Sequence, residues 1–219
     1  MKLNNDSKYL FLGCHLDDVE YGCGGLISKL IQSRIEDRIR IHILSCQNYN
    51  SDGEIQLSRN LEEKTKAAET LGLNENQYFV SNIKGQRFCD EAQKIRELLL
   101  VDLSEYFPDM IFFPSKNDIH QDHKTLYEEA FRIFRNKSCF GYEIIRSCYH
   151  FQPNLYIELS TEHLQKKIKA VMSYESQKNE GAGYYFNEDT LTTVSKFRGS
   201  QRGVLFAEAY EVYSLQIRV

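Results

Sequence analysis

Short apolar runs punctuate this chain, and between them apolar residues return every three or four positions. Tyr9–Cys14 carries no charge and ends in polar residues, the pattern of a strand buried on both faces. A glycine-containing turn at Gly22, Gly24 and Gly25 leads into a helical stretch at Leu26–Ile31. Arg40–Ser45, Gln77–Val80 and Met110–Phe113 predict the second, third and fourth strands. Helices are expected over Leu57–Leu71, stopped by Gly72, and over Gln93–Tyr106, closed by Pro108. Lys124–Phe134 and Glu162–Tyr174 read as further helices, and Tyr142–Ile145, Leu155–Leu159 and Tyr210–Ile217 as later strands. Asn48–Glu54 and Gln177–Asn187 read as loops.

Strands alternating with helices of this length imply an α/β fold, a doubly wound and mostly parallel sheet with helices on both faces. One domain spanning residues 1–219 is expected, its final third (about 150–219) shaping the substrate site. At 219 residues and 42% hydrophobic, the chain can build a core without disulfides or metals as staples. Its six cysteines form no C-x-x-C pair and read as reduced, buried thiols of a cytoplasmic protein. A net charge of -4 argues against a broad nucleic-acid binder. No apolar stretch reaches the roughly 18 residues of a membrane span.

Two clusters carry candidate chemistry. Just beyond the first strand stand His15, Asp17 and Asp18; just beyond the fourth stand Asp118, His120, Asp122 and His123. With a strand order of 3-2-1-4, the first and fourth strands are neighbours where the order reverses, so both clusters face one crevice at the carboxyl ends of the strands. His and Asp side chains suit a divalent metal such as Zn²⁺, and a carboxylate beside it can take a proton from water. The same residues also suit helix capping, Asp17 or Asp18 for one helix and the His-x-x-His pair for another.

Cys14-His-Leu-Asp-Asp-Val-Glu-Tyr-Gly-Cys-Gly-Gly25 resembles the A-H-P-D-D-x-E-x-G-x-G-G signature of the PIG-L/LmbE-like metal-dependent N-acetylglucosaminyl deacetylases. Asp118–His123 resembles the second motif of that family, H-P-D-H. Arg59–Gly72 is similar to its R-x-x-E…A-x-x-L-G helix, Tyr174–Gln177 to its H-x-S-Q segment and Phe206–Tyr210 to its Y-A-E-A-F ending. Leu16 and Gln121 stand where prolines are usual, and Tyr174 where many members have His. The resemblance implies a Rossmann-like fold with His15, Asp18 and His123 as ligands of zinc, or of another divalent ion such as Fe²⁺. It also implies Asp17 as general base, His120 as the polarising or acid residue tuned by Asp122, and Arg59 as a substrate-binding residue. The implied substrate is a small N-acetylated amino-sugar conjugate, and homo-oligomers are common among such enzymes.

Other features read as structure. Gly24 and Gly25 permit close helix packing; His42, His150 and His163 are structural or surface residues; Lys166-Lys167-x-Lys169 is a solvated helix face. Glu20 reads as second to the site or as a helix-start residue. Tyr184-Tyr-Phe186 reads as loop packing or as a platform for a sugar. A nucleotide-binding protein would use the first glycine turn, but Gly-Cys-Gly-Gly is not G-x-G-x-x-G. A non-catalytic sugar-binding protein and a deacylase of a different N-acyl substrate are also compatible with these residues.

Overall fold

Every residue of the first strand, β1 (Tyr9–Gly13), is buried, and its side chains alternate between two separate cores. Tyr9 and Phe11 join one cluster, Leu10 and Leu12 the other. A strand buried on both faces needs helices on both sides, and the computed structural model supplies them. It describes residues 6–47, 57–177 and 183–216, without the side chains of 57–59. In chain order the elements are β1, α1 (Asp18–Gln32), β2 (Ile39–Ile43), α2 (Leu57–Leu71), β3 (Tyr78–Val80), α3 (Ala92–Val101), β4 (Met110–Pro114), α4 (Gln121–Phe134) and β5 (Ser138–Tyr142). There follow β6 (Leu155–Leu159), α5 (Thr161–Met172), the short turn α6 (Glu175–Gln177), α7 (Glu188–Ser200) and β7 (Phe206–Ser214).

The seven strands form one sheet in the order β3-β2-β1-β4-β5-β7-β6. The pairs among β3, β2, β1, β4 and β5 are parallel, while β7 runs antiparallel to both β5 and β6. This is the expected doubly wound, mostly parallel architecture, with β1 and β4 adjacent. Phe112 at the centre of the sheet stacks between Phe11 and Phe140, with ring centroids 4.8 and 4.7 Å away. No helix of the described residues is long and apolar enough to cross a membrane.

Several elements differ from the sequence pattern. The three glycines expected in a turn lie inside α1, which begins at once at Asp18. They are packing residues. A Cβ on Gly22 would overlap the Tyr142 ring, and one on Gly25 would sit 2.5 Å from Leu159 and 2.9 Å from Glu208. These glycines thus serve close packing within α1 and do not form a phosphate-binding turn. The fifth strand is Ser138–Tyr142 rather than Tyr142–Ile145. Its Gly141 faces the Tyr213 hydroxyl, which a Cβ would overlap, so close approach and not β-propensity selected the residue. The closing strand starts at Phe206 rather than Tyr210, and α7 has no counterpart in the sequence pattern. The buried face of α7 includes Ser195 and Arg198, so it shows little apolar period; Arg198 is instead paired with Glu143 at 2.7 Å.

The lysine-rich stretch is split. Lys167 is buried, with Nζ 2.7 Å from Glu208 Oε1. Glu208 also accepts the amides of Gly25 and Leu26 at 2.8 and 2.7 Å and the Tyr210 hydroxyl at 2.8 Å. One carboxylate of β7 is thus bonded to the middle of α1, and its charge is matched by a lysine of α5. His42 is structural, between Asp102 at 2.5 Å and Ser81 at 2.7 Å. His163 bonds back to the amide of Ser160 at the start of α5. The cysteines are free; Cys14, Cys23, Cys139 and Cys148 are buried and Cys89 is exposed.

Candidate active site

Between β1 and α1 the chain turns through Cys14–Asp17. The Asp18 carboxylate folds back over this turn, and its Oδ2 accepts the amides of Cys14 at 2.9 Å and His15 at 2.8 Å. Asp17 stands at the start of α1, and its side chain makes no capping bond. Neither aspartate therefore serves as a helix cap. Two tyrosines of distant elements hold the turn from outside. The Tyr78 and Tyr174 hydroxyls lie 3.0 and 2.6 Å from the Leu16 carbonyl, and 3.0 and 3.1 Å from Glu20 Oε1. Tyr174 thus braces the loop in which Leu16 replaces the usual proline. Nearby, buried Glu63 accepts the amide and hydroxyl of Ser176 at 3.0 and 2.6 Å, which ties the Tyr174–Gln177 segment to α2.

The second cluster comes from the loop after β4 and the first turn of α4. Asp118 organises it, accepting the His120 amide at 2.8 Å, the Ser147 hydroxyl at 2.9 Å and the His123 Nδ1 proton at 2.8 Å. His120 does cap α4, its Nδ1 accepting the Asp122 amide at 3.2 Å. The Asp122 carboxylate does not pair with His120 as expected. It faces His15 Nε2 at 3.2 Å and accepts the Gln86 and Phe88 amides at 2.6 and 3.2 Å.

The two clusters meet. Asp18 Oδ2 is 3.4 Å from His15 Nδ1 and 3.3 Å from His123 Nε2. The His120 ring centroid is 5.0 Å from that of His15 and 4.6 Å from that of His123. Burial opposes charge on the imidazoles, but the Asp18 carboxylate and its neighbours prevail, raising His15 to about 10 and His123 to about 9. Burial likewise favours the neutral Asp18 carboxyl, yet the His123 and His15 rings hold it well below the usual range. Asp17 is pushed up to about 6 by burial and by the Asp18 charge beside it. His120 is lowered to about 4 by burial and by the charges of His123 and His15.

His123 provides the test of whether a metal fits. It is 3% exposed, and its Nε2 has no hydrogen-bond partner. Its Nδ1 is held by Asp118, and its Nε2 faces the Asp18 carboxylate at 3.3 Å. In the charged imidazole a proton on Nε2 stands opposite that carboxylate, and a divalent cation could take the proton's place between the nitrogen and the oxygen. The carboxylate behind the imidazole is the arrangement that orients metal-ligating histidines. Among the described residues, two groups have donor atoms within 4.8 Å of one another: Cys14 with Asp18 and His123, and His15 with His120 and Asp122.

These residues open onto a cavity of about 580 Å³, lined among others by Asp17, His120 and His123. Arg146, Tyr149 and Tyr185 also line it, and sequence reasoning singled out neither Arg146 nor Tyr149. The Arg146 guanidinium lies over the Tyr185 ring at 5.4 Å. The aromatic triplet thus divides its roles: Tyr184 is exposed, Tyr185 lines the cavity and Phe186 belongs to the core. Arg59 lies in α2, but its side chain, like residues 48–56 and 178–182, is outside the described residues.

Known proteins resemble this chain in sequence and in fold. The sequence model of PIG-L, described as GlcNAc-PI de-N-acetylase, matches residues 10–134. The diacetylchitobiose deacetylase of Thermococcus kodakarensis is 25% identical over 94% of this chain and 82% of its own length. An uncharacterized deacetylase of Escherichia coli, YaiS, is 24% identical over 79% of this chain and 93% of its own. The solved N,N'-diacetylchitobiose deacetylase from Pyrococcus horikoshii superposes with a TM-score of 0.79 at 20% identity, covering 97% of this chain and 87% of that one. With both motif clusters inside the matched span, the chain belongs to the PIG-L family of de-N-acetylase enzymes.

Proposed function

We propose that this protein is a metal-dependent hydrolase that removes the acetyl group from the amide nitrogen of an N-acetylglucosamine-type conjugate. The observation that carries the reading is the convergence of Asp17 and His120 on one cavity, beside the unsatisfied His123 Nε2. The overall reaction consumes one water, breaks the amide C–N bond and yields acetate and a free amine. His15, Asp18 and His123 would hold the cation, zinc in this reading, although two imidazoles and a carboxylate also accept Fe²⁺. When bound, such an ion supplies Lewis-acid polarisation of an acyl oxygen and lowers the pKa of water.

The chain's own groups divide the proton work. Asp17, at about 6, is ionised at neutral pH and accepts a proton from the attacking water. His120 is neutral there, and its Nδ1 is occupied by the Asp122 amide, so its proton resides on Nε2. From the cavity wall that N–H donates to the oxyanion of the tetrahedral intermediate. Protonated Asp17 then returns its proton to the departing amine. Asp122 positions His15 rather than His120. Arg146 and Tyr185 offer a cation and an aromatic face to the conjugated moiety, and Arg59 to substrate hydroxyls or an anionic group. We take 1–219 as one domain; residues of all three thirds of the chain, from His15 to Tyr185, line the cavity.

An acetate-release assay on a panel of N-acetylglucosamine conjugates, beginning with diacetylchitobiose, tests the reading. Release from at least one conjugate is expected. Asp17→Asn should lower it about 10²–10⁴-fold with the metal content unchanged. Near-normal turnover by that variant, or no release from any conjugate, sinks the assignment.

A further inference from the structure

Position 14 is alanine in the signature that this segment resembles and cysteine in this chain. The difference falls at the end of β1, where the Cys14 side chain is fully buried. Its Sγ lies with one Asp18 oxygen and one His123 nitrogen in a group whose members are all within 4.8 Å of one another. His123 Nε2 is the unpartnered nitrogen of that group. Asp18 cannot swing away from the sulfur, because Oδ2 is bonded to the Cys14 and His15 amides. The cavity touches Asp17, Asp18, His120 and His123 but not Cys14. The sulfur therefore approaches from the protein side, opposite the side open to water and substrate.

We infer that Cys14 is a further metal ligand, a thiolate that this chain adds to the nitrogen and oxygen donors of the site. The inference rests on the proposed metal dependence. Binding breaks the Cys14 S–H bond, forms a sulfur–metal bond and releases the proton to solvent. A sulfur donor shifts the preference of the site toward soft or borderline ions such as Zn²⁺ and away from Mg²⁺ and Mn²⁺. Because it enters from the buried side, it leaves the cavity side free for the reaction. Among the described residues no other cysteine belongs to a group able to hold an ion, so a sulfur signal identifies Cys14.

Cobalt(II) titration of the metal-stripped full chain tests this. The wild type should develop visible d–d bands together with an intense near-ultraviolet thiolate-to-cobalt charge-transfer band. Cys14→Ala should keep the d–d bands and lose the charge-transfer band. Visible bands without the charge-transfer band, or the same band in Cys14→Ala, overturn the cysteine assignment and leave the metal reading standing. No cobalt spectrum at all overturns both. X-ray absorption of the zinc-loaded wild type decides the matter even if the variant fails to fold. A sulfur scatterer at about 2.3 Å supports the assignment; a shell of nitrogen and oxygen alone overturns it.

Discussion

Glu20 makes the stability of this protein depend on pH in an unusual direction. Its carboxyl is fully buried in the first turn of α1. Two tyrosine hydroxyls reach its Oε1, and both also reach the Leu16 carbonyl. Each hydroxyl has one proton to give, so one can serve the carbonyl and the other Glu20 Oε1; donation to the carboxylate favours its charged form, and burial outweighs it. Burial, the dominant cause, raises its pKa from 4.5 to about 8. A carboxyl whose folded pKa is raised binds a proton in the native state that the unfolded chain has released. Its contribution is whole below pH 4.5 and is lost as pH rises toward about 8. At about 1.36 kcal/mol for each pH unit, the loss reaches about 5 kcal/mol as an upper bound. Glu20→Gln cannot ionise. Urea denaturation of both proteins at intervals from pH 4.5 to 8.5 should show the stability difference moving steadily in favour of the variant. Parallel stability curves would refute the reasoning, and a neutral Glu20 with it.

Two other outcomes follow from the geometry. If Asp17 is the base, kcat/KM should rise with pH through a limb at or below about 6, because only the ionised carboxylate accepts a proton; a limb centred above pH 7 would assign that step to another group. Gly22→Ala should cost about 1–3 kcal/mol by thermal or urea denaturation, since its Cβ would overlap the Tyr142 ring; wild-type stability would mean that α1 and β5 do not press together as described.

Much of this arrangement is legible in the sequence, for physical reasons. A strand buried on both faces writes itself as an apolar run, so Tyr9–Gly13 and Met110–Pro114 stand out. Their adjacency follows from short right-handed connections, and with it the meeting of the two clusters. What escapes is whatever depends on a partner distant in the chain. Asp122 looks like a partner for His120 two residues away, yet its carboxylate meets His15 across 107 positions. Lys167 sits in a lysine-rich stretch that looks solvated, and only Glu208, 41 residues on, accounts for its burial. The buried acid on α2 is Glu63 rather than the exposed Glu62 of the R-x-x-E spacing, a choice made by Ser176. Ser138–Tyr142 is hidden as a strand because Gly141 was selected by the Tyr213 side chain.

The bond from Glu208 to the middle of α1 has a consequence for the order in which the molecule is assembled. Every proposed ligand lies before residue 124, inside the span matched by the family. Yet the helix that begins at Asp18 is fastened by a carboxylate 183 residues after Gly25. The strand bearing it is the last in sequence and lies inside the sheet, between β5 and β6. During synthesis the proposed ligands thus emerge well before Glu208, the carboxylate that fastens the helix following their turn. A chain cut off at residue 134 would carry all the proposed ligands yet lack both Tyr174, which braces their turn, and Glu208, which fastens their helix. If the site holds a cation as proposed, a lesion at Glu208 should weaken its binding although Glu208 is not among the proposed ligands.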